Sequence, residues 1–61
     1  MNFKVMVQTG TIQVEVSDGS PVSFYDLNGK LIKSNSTICS SLSAGVYVVK
    51  VGVNAVKVMV P

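Results

Sequence analysis

The sequence lacks the side chains on which most enzyme active sites depend. Its 61 residues include no histidine, one cysteine and three carboxylates. The thiol of Cys39 has no base partner, and Glu15, Asp18 and Asp26 fall in different segments, so no general acid, base or nucleophile is expected to form. Metal-ligand spacing and a glycine-rich phosphate loop are also missing. We therefore expect a protein that is not an enzyme and that binds neither a cofactor nor a metal.

Charged and aromatic residues are few as well, and this excludes further classes of function. Five lysines are scattered singly against the three acids, giving a net charge of +2 without a block that could follow a phosphate backbone. The longest apolar run, residues 44–49, ends at Lys50, far short of the ~20 residues that span a bilayer. There is no tryptophan on which sugars could stack. The sequence predicts no nucleic-acid partner and no membrane span, and it disfavours carbohydrate binding.

Two common features of exported small domains are not found. Cys39 is the sole cysteine and cannot form an internal disulfide. Residues 1–4 do not begin an apolar segment of signal-peptide length. If the domain is exported, we expect residues 1–61 to be a single domain from the C-terminal end of a longer secreted protein, with Met1 as an added start.

The residues that are abundant favour β-strands. Valine, isoleucine and threonine together make 19 of the 61 residues, a composition suited to pleated, half-buried strands. Clusters of turn residues separate about seven short runs, which is typical of a sandwich or barrel. The clusters are Thr9–Gly10, Asp18–Pro21, Asn28–Gly29, Ser34–Ser36, Ser43–Gly45 and Gly52–Asn54. We predict an all-β fold with no helix longer than one turn.

Alternation of apolar and polar residues indicates how the strands pair. Residues 3–7 and 12–16 each have one apolar side and together predict a hairpin. Residues 46–49 are apolar on both sides, which predicts a central strand with little water on either face. Residues 55–60 are expected to form a strand with Val56, Val58 and Val60 towards the core and Lys57 and Met59 outward.

The segment FYDLNGKLIK, residues 24–33, contains the strongest turn signal. Asn28 and Gly29 can supply the positive φ angles of a tight hairpin, and Asp26 can accept hydrogen bonds from backbone amides. Asp26 and Asn28 could instead form a ligand or ion site, but Asx residues are such common turn formers that we assign all three residues to the turn.

The segment LSAGVYVVKVG, residues 42–52, has an aromatic residue close to the start of a strand. We expect Gly45 to provide a loop-to-strand conformation that a side chain would hinder. We expect Tyr47 to place its ring in the core and its hydroxyl at the rim, rather than to stack on a ligand, and we expect the same of Tyr25.

Three elements in this order resemble the type A C-terminal sorting domain of the bacterial type IX secretion system. They are the Asp-Leu-x-Gly-Lys hairpin of residues 26–30, the Leu-x-Ala-Gly-Val-Tyr of 42–47 and the Lys-Val-x-Val of 57–60, and the resemblance covers residues 22–60. The positions that match the family's sorting motifs are Gly45, Tyr47, Lys57, Val58 and Val60.

The resemblance implies a fold and a function. The fold is a small antiparallel immunoglobulin-like β-sandwich of about six to seven short strands. The function is to direct an attached upstream cargo domain from the periplasm of a Gram-negative bacterium through the outer membrane, to secretion or the cell surface. Its partners would be the outer-membrane secretion machinery and a sortase-like peptidase. The resemblance also places Cys39 at an apolar strand position, where we expect a buried thiol rather than a reactive one.

The chain differs from the family at its beginning. A Pro-Asn-Pro opening is absent and the N-terminal end is shorter, so we expect the family's first strand to be missing or replaced.

A second hypothesis is an accessory sandwich that packs on a neighbouring domain or on copies of itself. Lys-Val-Met-Val occurs twice, at residues 4–7 and 57–60, and places Met6 and Met59 beside lysines. These faces fit a contact surface, and gap-filling by methionine in the core is an equal alternative. A small core without a disulfide also predicts homo-oligomers through exposed strand edges or the methionine faces.

Overall fold

The computed structural model describes residues 2–61, and Met1, interpreted above as an added start, lies outside the described residues. The described chain forms seven strands and no helix, and the strands make two antiparallel sheets. The strands are β1 (Phe3–Gln8), β2 (Thr11–Val16), β3 (Val22–Asp26), β4 (Leu31–Ser34), β5 (Ile38–Cys39), β6 (Gly45–Val51) and β7 (Asn54–Val60). The predicted all-β sandwich is confirmed.

The smaller sheet has the order β1-β2-β5. The predicted first hairpin is present, and its register pairs Phe3 with Val16 and Val7 with Ile12. Strand β5 contributes only two residues, which pair with Ile12 and Gln13 of β2. Residues 3–8 therefore form the first strand of this domain and pair with β2 along their whole length.

The larger sheet has the order β4-β3-β6-β7, so β6 is an interior strand as predicted. Its register on β3 pairs Val49 with Phe24, and its register on β7 pairs Val49 with Val56. Directly opposite residues share a face of an antiparallel sheet. This register therefore places Val56, Val58 and Val60 on the side of the core, and Lys57 and Met59 on the outer side.

Eight hydrophobic side chains form the buried core between the sheets. Among residues 2–61 no polar or charged residue is buried. The core residues are Ile12, Val14, Val22, Phe24, Cys39, Val49, Val51 and Val60. The expected burial of Cys39 is confirmed, and burial raises the pKa of its thiol above the usual range, an effect that the charge of Lys33 partly offsets.

The outer face of the larger sheet differs from the sequence-based expectation. Val46 and Val48 point away from the core and are only half-buried, so the strand is not covered on both sides. Tyr25 shares this outer face, opposite Val48 on one side and Leu31 on the other, and it lies outside the core cluster. The prediction of a core ring at Tyr25 was wrong because the register assigns alternate residues of β3 to opposite faces.

The turn between β3 and β4 also has a different geometry from the one predicted. Gly29 has a φ of 83°, whereas Asn28 does not have a positive φ. The loop spans three residues, because the amide of Asp26 donates to the carbonyl of Lys30 at 3.0 Å. A three-residue loop of this kind needs a positive φ only at its last position. The carboxylate of Asp26 accepts hydrogen bonds from the amides of Asn28 and Lys30, both at 2.9 Å, and this favours the longer loop.

The turn after β2 is organised by a second aspartate. Asp18 Oδ1 accepts hydrogen bonds from the hydroxyl of Ser20 at 2.6 Å and from its amide at 3.0 Å, while Oδ2 accepts one from the side-chain amide of Asn2 at 3.0 Å. These bonds favour the carboxylate, so the pKa of Asp18 is lowered below its usual value, and the Ser20 hydroxyl is the main cause.

Candidate recognition site on the last two strands

The start of β6 is fixed by Tyr47. Its hydroxyl donates a hydrogen bond to the carbonyl of Ser43, four residues upstream, at 2.7 Å. Its ring packs against the core. This arrangement is the tyrosine corner found in immunoglobulin-like sandwiches, in which a tyrosine near the start of a strand ties down the loop before it. The structure thus places Tyr47 in an architectural position, with its ring inward and its hydroxyl at the rim.

Gly45 and Leu42 set the path of the same loop. Gly45 has a φ of 154°, a conformation that residues with a side chain rarely adopt, although a Cβ here would meet no atom within 4 Å beyond its neighbours in the chain. The amide of Leu42 donates to the carbonyl of Gly10 at 3.0 Å, which joins this loop to the turn between β1 and β2. Leu42 also packs on the core. The Leu-x-Ala-Gly-Val-Tyr segment therefore connects the two sheets.

Four of the five sorting-motif candidates lie together on the core side of the β6–β7 hairpin. The register pairs Gly45 with Val60 and Tyr47 with Val58. Val60 is fully buried and Val58 packs against the core, so these residues hold the hairpin onto the sandwich. These four residues therefore have structural positions in the hairpin.

Lys57 is the candidate that faces solvent. It is exposed on the outer side of β7, opposite Val48. Val48 in turn lies opposite Tyr25, and Tyr25 opposite Leu31, so Lys57 ends a row that crosses the whole sheet. Of the five candidates, Lys57 is the one that carries a charged group, and it is exposed and does not contribute to the core.

The outer face around Lys57 combines apolar and cationic groups. Lys50 shares this face on β6, opposite Ala55, and Met59 lies opposite Val46 with 71% of its surface exposed. The outward positions of β3, β6 and β7 carry no carboxylate.

The turn residues lie beside the motif. Asp26 is opposite Tyr47 in the register between β3 and β6, so the Asp-Leu-x-Gly-Lys and Leu-x-Ala-Gly-Val-Tyr elements meet although they are far apart in sequence. The carboxylate of Asp26 is engaged by the amides of its own turn. Sequence reasoning missed the bond of Tyr47 to Ser43, although a tyrosine shortly after a loop is its signal.

The acidic side chains and the surface depressions of residues 2–61 are the other places in which a site could form. Across residues 2–61, no three histidine, cysteine, aspartate or glutamate side chains lie close enough to hold a metal ion. A surface depression of about 400 Å³ lies over the ends of β1 and β2, where Lys4 and Glu15 are its charged lining residues. No helix in residues 2–61 is long and apolar enough to cross a membrane.

Comparison with known families identifies the family of this domain. Residues 8–60 match the family model described as the secretion system C-terminal sorting domain. The chain belongs to this family. The matched residues include β2 to β7, and of β1 only Gln8. No curated protein and no solved structure matches the chain.

Membership indicates a C-terminal type IX sorting signal, and such signals are in general non-catalytic. Proteins that carry this domain are secreted or displayed at the cell surface, and the domain implies an interaction with the type IX secretion machinery.

Proposed function

We propose that this domain directs an attached cargo protein from the periplasm through the outer membrane by type IX secretion, and that it does no chemistry itself. The observation that carries the proposal is the family match over residues 8–60. The folded domain is the signal that the secretion machinery recognises. Once the cargo has crossed the outer membrane, the domain is either removed by a sortase-like peptidase or retained.

Within this function, the structure supports a division of work among the motif residues. Gly45, Tyr47, Val58 and Val60 maintain the hairpin, because their side chains or backbone conformations build the core side. Lys57 contacts the secretion machinery, since its exposed ammonium group lies at the end of the outer row. Losing the hairpin residues would impair export by unfolding the domain, whereas losing Lys57 would impair export of a folded domain.

A reporter fusion tests the proposal. The domain is fused to the C-terminal end of a periplasmic reporter in a cell that has type IX secretion, and surface reporter is measured by protease accessibility. The fusion should reach the surface, and Lys57→Ala should reduce surface reporter without lowering the melting temperature. Lys50→Ala is the matched control, since it removes an exposed lysine from the same face and should leave export unchanged. A folded fusion that stays in the periplasm would contradict the proposal.

The second candidate function is an accessory module that packs on a neighbouring domain or on another copy. The observation that favours it is the apolar outer face of the larger sheet, where Leu31 and Met59 are 50% and 71% exposed. Sedimentation velocity of the domain over a range of concentrations tests self-association. Oligomers that Met59→Lys dissolves would support this function, and a strictly monomeric profile would count against it.

A further inference from the structure

Strand β7 has a free edge that is long enough to pair with another strand. It ends the order β4-β3-β6-β7, and none of the described strands is hydrogen-bonded to its far side, although β1 of the other sheet contacts β7. The edge at β4 has four residues and a register shift, and the edge at β5 has two residues. Short or irregular edge strands resist pairing with other chains. The seven residues of β7 have neither protection, and the six-residue edge at β1 is the second longest.

Lys57 is the middle residue of β7 and opposes pairing of this edge with itself. Two antiparallel β7 strands that overlap along all seven residues would place Lys57 directly opposite the Lys57 of the second copy. Like charges in directly opposite positions destabilise a strand pair. At full overlap the edge therefore disfavours a second β7 and favours a strand that carries negative charge at its centre.

The chain itself contains a pairing of the required kind. The sequence Lys-Val-Met-Val occurs in β1 as well as in β7, and in β1 its strand partner is known. Lys4 lies opposite Glu15 and Val5 opposite Val14, while Met6 and Val7 lie opposite Gln13 and Ile12. The partner strand thus reads Ile-Gln-Val-Glu, with valine and isoleucine on the core side and the acid opposite the lysine.

We propose that the free edge of β7 binds an extended segment of a partner protein by strand addition, and that this segment has the apolar-polar-apolar-acidic pattern of β2, with its carboxylate opposite Lys57. Main-chain hydrogen bonds supply affinity in such complexes and alternate side chains supply specificity. The inner positions of the added strand would extend the apolar rows of Val58 and Val60. The outer positions would place a polar side chain beside Met59 and a carboxylate beside Lys57, which on β6 has only Val48 as a neighbour.

This inference deepens the proposed function, because it states the chemistry of the partner that contacts Lys57. It rests on that function only for the claim that the partner belongs to the secretion machinery. The binding mode can be tested without any secretion component.

The probe is the synthetic peptide Thr-Ile-Gln-Val-Glu-Val, which reproduces residues 11–16. It is titrated into the isotope-labelled 61-residue domain, and amide chemical shifts and hydrogen exchange are followed by NMR. The peptide should shift and protect amides of Asn54–Val60 on the side facing away from β6. Shifts centred on β1 would show addition at its free edge or exchange with the domain's own β2, and shifts centred on β4 would show pairing at that edge. Either result, or no binding, would overturn the inference.

A charge exchange tests the pairing of the acid with Lys57. Lys57→Glu in the domain, or Glu15→Lys in the peptide, should each weaken binding by roughly two- to fivefold, and the two changes together should restore it. Lys33→Glu is the control, because Lys33 is exposed on β4 at the opposite edge of the sheet and its change should leave binding unaltered. Equal weakening by Lys33→Glu, or no restoration in the double exchange, would overturn the assigned register.

The two proposals fail in distinguishable ways. A negative peptide assay overturns strand addition and leaves the export proposal intact. Failure of the folded reporter to reach the surface, with peptide binding retained, overturns the export proposal alone.

Discussion

The valines of β7 should differ in their contribution to stability in the order of their burial. Val60 is 1% exposed, and its directly opposite residue on β6 is Gly45, which has no side chain that could fill a cavity. Val60→Ala should therefore leave a cavity that no neighbouring side chain fills. It should lower the free energy of unfolding by about 2 to 3 kcal/mol. Val58 is half-buried against Tyr47, so Val58→Ala should cost about 1 kcal/mol.

These costs are large for a domain of this size. At the usual 0.05 to 0.15 kcal/mol per residue, 61 residues give a free energy of unfolding of roughly 3 to 9 kcal/mol. Val60→Ala should lower the melting temperature by roughly 10 to 20 °C, measured by circular dichroism, and urea unfolding supplies the free energy independently. Lys57→Ala is the control and should cost less than about 0.5 kcal/mol. Equal losses for Val60→Ala and Lys57→Ala would refute the assignment of faces on β7.

Other changes test the remaining contacts. Tyr47→Phe removes the hydrogen bond to Ser43 and should cost about 1 kcal/mol in urea unfolding, with the ring packing retained. Gly45→Ala should cost about 1 to 3 kcal/mol in the same assay, because alanine is strained at a φ of 154°. In an NMR titration the pKa of Asp18 should lie below its usual value and should rise in Ser20→Ala. Because folding lowers this pKa, its contribution to stability is present above the unfolded-state pKa and is lost as the pH falls through the folded-state value. Cys39 should react slowly with a thiol reagent under folded conditions and rapidly in denaturant.

Local patterns were sufficient for the hairpins and for the faces of their strands. The period-two alternation predicted the pairing of residues 3–7 with 12–16, and it predicted that Val60 faces inward while Lys57 faces outward. Composition and turn spacing predicted seven strands without a helix. These features depend on residues that are close together in the chain, so they can be predicted from a single sequence.

Features that depend on the order of strands could not be predicted in the same way. Tyr25 looked equivalent to Tyr47, but the register of β3 on β6 places it on the outer face. The apolar pair Val46 and Val48 suggested a strand covered on both sides, although the second sheet covers only one. The position of Lys57 at the centre of a free edge follows only when β7 is known to end its sheet.

The geometry of the turn at Asp26 could not be predicted for a different reason. Asn28 and Gly29 could form a two-residue or a longer loop, and both use the same residues. The length of the loop depends on which backbone amides donate hydrogen bonds to the carboxylate of Asp26. That is set by the geometry of the folded hairpin.

Each of the two sheets contains a pairing between distant parts of the chain, and this has a consequence for the speed of folding. Ile12 must find Cys39, and Val22 must find Val51, before either sheet is complete. Closing such long loops costs entropy before the contacts reward it, and β-sandwiches accordingly fold in milliseconds to seconds. An unfolded chain would thus have a measurable period, before folding is complete, in which the thiol of Cys39 is open to other molecules. Stopped-flow refolding would give the length of that period.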